Sequence, residues 1–102
     1  MLVVGSDTEV VGVDLSRKRH SFSHLLTGVF FSFHCIPGAD WLLAVHEVGA
    51  VKFRLNGDLD WSVDTDVVAE SHLADGILTI EVMDAPAPVP IDVASGKIVD
   101  RV

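Results

Sequence analysis

The chain of 102 residues has one cysteine, Cys35, so it forms no internal disulfide, and a reducing compartment suits it. Basic residues are scarce. Seven Lys and Arg against fifteen Asp and Glu give a formal net charge of −8, which repels nucleic-acid phosphates and anionic lipid, so neither nucleic acid nor membrane is an expected partner. No apolar run approaches the roughly 20 residues of a spanning helix. The opening stretch, MLVVGSDTEVVGV, has no basic n-region and breaks its apolar pattern at Gly5 to Glu9, unlike a signal peptide; a cytoplasmic protein is the expectation. There is neither a Gly-x-Ser-x-Gly elbow nor a Gly-x-x-x-x-Gly-Lys phosphate loop. Without a convergent catalytic set, the chain is expected not to be an enzyme.

What is present is apolar and alternating. Hydrophobic residues make up 49% of the chain, enough for a folded domain with a modest core. Period-two patterns and β-branched runs are interrupted by Gly, Asp and Pro too often for ordinary helices, which predicts an all-β domain. The candidate strands are Leu2 to Val4, Val10 to Leu15, Arg19 to His24, Val29 to Cys35, Trp41 to His46, Ala50 to Leu55, Asp60 to Asp64, Val67 to His72, Ile77 to Met83, Val89 to Val93 and Lys97 to Arg101. Ser21 to Thr27 offers a helical turn as the alternative. Cys35, inside an apolar strand, is expected to be a small buried residue with an inert thiol.

The pattern repeats. Asp14, Phe53 and Asp92 fall 39 residues apart in three similar hairpins, GVDLSRKRHSF, VKFRLNGDLDW and PIDVASGKIVD. The stretches VFFSFHCIPGADWLLAV and VVAESHLADGILTIEV between them also correspond, each giving strand, turn and strand. A full repeat is therefore four short strands in about 39 residues, the dimension of one propeller blade. The turn chemistry has a physical reason. An Asp closing a strand accepts N–H groups of the following turn, Gly supplies positive φ, and an aromatic residue a few positions on can pack against the next blade.

These hairpins resemble the repeat of PQQ-like and WD-type β-propellers, in particular the PQQ-like tryptophan-docking motif Ala-x-Asp-x-x-Thr-Gly-Lys-x-x-Trp. Asp92, Ser95, Gly96 and Lys97 match its centre in the third copy, and Asn56, Gly57 and Trp61 match its second half in the second copy. In the first copy Asp14 and Phe22 fit, with Lys18 where the glycine belongs. The resemblance implies one domain over 1–102 of tandem four-stranded antiparallel blades: a partial blade over 1–24, then blades over 29–64 and 67–102. Quinone-dependent members of that family hold cofactor and calcium at the centre of an eight-bladed ring. Many relatives bind none, and no cofactor is expected in this chain, which has no vicinal cysteine pair.

About two and a half blades cannot close a ring that needs four to eight. Homo-oligomerisation into a ring is the expected solution, with a compact sandwich or barrel, or a fragment of a longer propeller, as alternatives. The expected function is noncatalytic binding or scaffolding toward a protein partner or another copy. Its expected surface comprises the strand-end loops carrying Asp40, Trp41, Asp58, Trp61, Pro86 and Pro88, since Trp and Pro beside turns make contacts. The Pro-rich segment MDAPAPVP reads as a stiff extended loop.

Five histidines raise an alternative, a ligand or metal site built from His34, His46 and His72 on neighbouring blades. His20 and His24 would share one strand face about 13 Å apart, too far for one ion. His34 and Cys35 are adjacent and would point to opposite faces. No recognised ligand motif occurs, so no metal is expected. The pairs Asp58/Asp60 and Asp64/Asp66 read as solvated edges that discourage strand addition.

Overall fold

In the computed structural model, residues 2–84 and 87–99 are described, and they are all-β, in ten strands. Strands β1 (Leu2–Ser6), β2 (Glu9–Asp14) and β3 (Arg19–Leu25) form a first antiparallel sheet. A middle sheet holds β4 (Phe30–His34), β5 (Trp41–His46), β6 (Gly49–Arg54) and β7 (Leu59–Asp64) in sequence order. A last sheet holds β8 (Val68–Ala74), β9 (Ile77–Val82) and β10 (Val89–Asp92). The all-β expectation holds, and Ser21 to Leu25 run as strand rather than as a helical turn. The expected strand from Lys97 is only an Ile91–Ile98 bridge among the described residues, and its continuation at 100–101 lies outside them.

Cys35 corrects an expectation. Strand β4 ends at His34, so Cys35 is the first residue of the loop before Pro37 and Gly38, and its thiol is exposed rather than buried.

The three sheets stack face to face, and the particle is 48 Å long and 17 Å at its thinnest. Alternation along β5 sorts its side chains between two cores. Leu42 and Ala44 join Val10, Phe22, Leu26, Val51 and Phe53 against the first sheet. Leu43 and Val45 join Ala50, Val68, Leu78, Ile80, Ile91 and Val93 against the last. Strand β5 is therefore covered on both faces, which explains why WLLAVH is a continuous apolar run where a half-exposed strand, such as β7, alternates. Full burial of a side chain such as Phe53 or Leu43 contributes about 1.5–3 kcal/mol.

The same joints link consecutive sheets. After β3, Leu26 N–H donates to the Thr8 carbonyl and Phe30 N–H to that of Asp7. After β7, Thr65 N–H donates to the Val48 carbonyl and Val68 N–H to that of Glu47. Each link thus bonds to the β-hairpin turn of the sheet it leaves, and Met83 N–H, donating to the Val67 carbonyl, brings the end of β9 to the same end of the stack as the β1–β2 and β5–β6 turns.

Candidate functional site

The residues of the repeated hairpin hold one sheet to the next. Phe22 of β3 lies over Gly57 in the β6–β7 turn, where a Cβ would come 3.0 Å from Phe22 Cβ. Trp61 of β7 lies over Gly96 in the turn after β10, where a Cβ would come 2.5 Å from Trp61 Cγ. Both glycines have positive φ, 102° and 76°. They combine a left-handed backbone with room for a ring, which only glycine allows. The Trp61 indole N–H also donates to the Val93 carbonyl at 2.8 Å. Phe22 and Trp61 are 39 residues apart, as are Gly57 and Gly96. The corresponding turn of the first sheet has Lys18 at φ 51°, and position 100, next in the aromatic series, is an aspartate outside the described residues.

The turns are braced by their aspartates. Asp14 accepts from the Ser16 hydroxyl at 2.7 Å and from the Ser16 and Arg17 N–H groups, and these bonds, the hydroxyl first, hold its carboxyl below the usual range. Asp92 accepts from the Ser95 hydroxyl at 2.8 Å.

Four of the six residues expected to bind meet at one end of the middle sheet. Asp40 lies 3.6 Å from Arg54, whose guanidinium also bonds Asp60 at 3.2 Å. Lys52 is buried, 3.4 Å from Asp60 and 5.1 Å over the Trp41 ring, in cation–π contact. Asp58 accepts from Arg54 N–H through its carbonyl. Trp61 stands opposite Lys52 on β7 and is engaged in its joint. Desolvation works to raise the Asp60 pKa, but the Arg54 hydrogen bond and charge, with Lys52, hold it below the usual carboxylate range. Lys52 and Arg54, which pair with Asp60 and Asp40 in this cluster, carry no turn signature in the sequence. Pro88 is exposed just before β10, at the opposite end of that strand from the Trp61 joint, about 13 Å away by strand rise. Pro86 lies outside the described residues. Pro88 thus lies at the far end of β10 from the Asp40, Trp41, Asp58 and Trp61 cluster.

The histidines divide likewise. His34 of β4 and Ser71 of β8 are 2.8 Å apart, Nε2 to Oγ, across the middle and last sheets. Burial first, then the charge of nearby His72, lowers the His34 pKa. Beside the pair is an open groove of about 220 Å³ lined by Phe31, Ser32, Val45, Val68 and Glu70. His46 is fully buried; its Nδ1 accepts from Val48 N–H at 3.3 Å and its Nε2 has no partner. Burial lowers its pKa, and Asp64 offsets part of that. Among the described residues no three His, Cys, Asp or Glu side chains are placed to share a metal ion.

The two outermost faces of the stack differ in chemistry. The strand register places Leu2, Val4, Val11 and Val13 on the face of the first sheet turned away from the middle one, with Leu25 at its edge. None of them joins either core. Leu2, Val4 and Leu25 are 48%, 45% and 82% exposed. The outer face of the last sheet carries Glu70 opposite Glu81, then His72 with buried Thr79 and Pro90, then Ala74, Ile77 and Asp92. Sequence reasoning passed over the apolar face although its signal is present: Leu2/Val4 and Val11/Val13 alternate, and pairing β1 with β2 puts both pairs on one side. Neither the known protein families nor the curated proteins offer a match to this chain.

Proposed function

We propose that the protein is a noncatalytic interaction module, a short propeller-like stack of β repeats that binds protein through the outer face of β1–β3. The observation that carries this reading is the apolar outer sheet surface of exposed Leu2 and Val4 and half-buried Val11 and Val13. The faces inside the stack that resemble it are each covered by another sheet, and contiguous uncovered apolar surface on a folded domain marks an interaction site. The acidic chain with its unpaired Cys35 suits the reducing cytoplasm.

The Ser71–His34 pair favours a second reading, a hydrolytic one, because a serine hydroxyl bonded to an imidazole beside a groove is how nucleophiles are activated. Against it, no carboxylate among the described residues bonds His34 to orient it, and the pair is accounted for as a bond between sheets. A fluorophosphonate probe with intact-mass detection separates the two. The expected result is no adduct, together with binding of a hydrophobic dye that falls when Val4 and Val11 are both changed to Glu. An adduct on Ser71 that disappears in His34→Ala overturns the noncatalytic reading.

A further inference from the structure

We infer that the outer face of β1–β3 is a self-association surface, joining two copies of this chain about a two-fold axis with their strands antiparallel; the inference rests on the reading of that face as the interaction site. Its chemistry is self-complementary. Between residues 1 and 28 the charges cancel, Arg17, Lys18 and Arg19 against Asp7, Glu9 and Asp14, and the remaining chain carries the whole net charge of −8. Lys18 and Arg17, the latter 3.8 Å from Asp14, occupy the β2–β3 turn at one end of the face, and Asp7 and Glu9 lie at or beside the β1–β2 turn at the other; Arg19 pairs with Asp14 on the inward side. Two such faces turned antiparallel bring the basic turn of each copy to the acidic end of its partner twice, with Val4 and Val11 at the centre of the apolar area.

Head-to-tail addition, which would extend the stack toward a ring, fits poorly. Kept in the sense of the existing stack, it sets Glu70 and Glu81 of one copy at the Asp7/Glu9 end of the next, since β8 and β9 carry these glutamates near the β9–β10 turn. It would bury those carboxylates against valines without cations beside them. It would also need a ring over a glycine. The first sheet presents Lys18 there, and the aromatic series has an aspartate at 100.

Three strands of about five residues give a footprint of roughly 14 by 17 Å from strand spacing and rise. That is about 240 Å² a side, well below the roughly 800 Å² per partner of a standard interface, so the association is weak, with dissociation expected in the high-micromolar to millimolar range.

Sedimentation velocity over a concentration series tests the assignment on the intact chain. The expected result is a monomer–dimer equilibrium that Val11→Glu weakens by about tenfold or more, with circular dichroism confirming that the variant is folded. Lys18→Glu and Glu9→Lys should each weaken the dimer, and combining them in one chain should restore it. A monomer at all concentrations, masses growing past the dimer, or a dimer indifferent to Val11→Glu and broken by Glu81→Lys each overturns the two-fold assignment. The fluorophosphonate result stays independent of all these, so loss of the dimer and loss of the noncatalytic reading are separate outcomes.

Discussion

The first and last sheets pack on the middle sheet through similar cores, yet their outer faces differ: one is centred on valine and leucine, while the other opens with Glu70 opposite Glu81 and His72. The difference separates two properties that a repeat combines. The inward face follows the common pattern because the middle sheet needs a cover on each side; the outward face is free of that requirement and records what lies beyond the stack. The joints differ in the same way. Phe22 on Gly57 and Trp61 on Gly96 are made inside the stack, whereas Lys18 holds the corresponding turn of the first sheet without a ring upon it.

The largest effect should come from breaking an inner joint. Trp61→Ala removes a half-buried ring and its bond to Val93 and should cost about 3–5 kcal/mol, read as a lower urea midpoint. An unchanged midpoint would show that the last sheet is held without it. Next come the equivalent turn positions. Gly96→Ala, with its Cβ 2.5 Å from Trp61 and φ of 76°, should cost about 2 kcal/mol or more. Lys18→Gly should instead be neutral or stabilising by up to about 1 kcal/mol, because it relieves a left-handed lysine. Equal effects at 18 and 96 would erase the distinction between end and inner turns.

A third test probes the sheet between the ends. Burial depresses the pKa of His46 in the folded protein, so the unfolded chain takes up the proton first as pH falls. The stability due to the neutral imidazole is complete above about pH 6.5 and declines as pH drops below it toward the folded-state pKa. His46→Leu should flatten the stability profile between about pH 7 and 5 in denaturant melts; an equally steep profile would assign the dependence to other groups, His34 among them. The smallest effect belongs to the polar end. Glu81→Lys replaces like charges facing each other across β8 and β9 with an opposite pair, and should stabilise by about 0.5 kcal/mol while leaving self-association unchanged.

The joints were legible because they rest on local spacing: the 39-residue period that aligns Asp14 with Asp92 also aligns Phe22 with Trp61 and Gly57 with Gly96. The all-β class followed from alternation and turn residues. The assignment of faces was not legible, since WLLAVH is apolar at successive positions and shows neither which residues meet the first sheet nor which meet the last. The placing of Asp40 and Asp58 beside Arg54 depends on pairing across β5, β6 and β7, and the separation of Pro88 from them depends on the direction of β10. Cys35 was misread because the apolar run VFFSFHCI continues past the point where the strand stops.

The two central strands also set how the molecule breathes. Amides of β5 and β6 are paired on either hand in strands covered on both faces, so solvent deuterium reaches them only in fluctuations that part the stack. The outer sheets can open singly and reclose, while the central amides keep time with the unfolding of the whole.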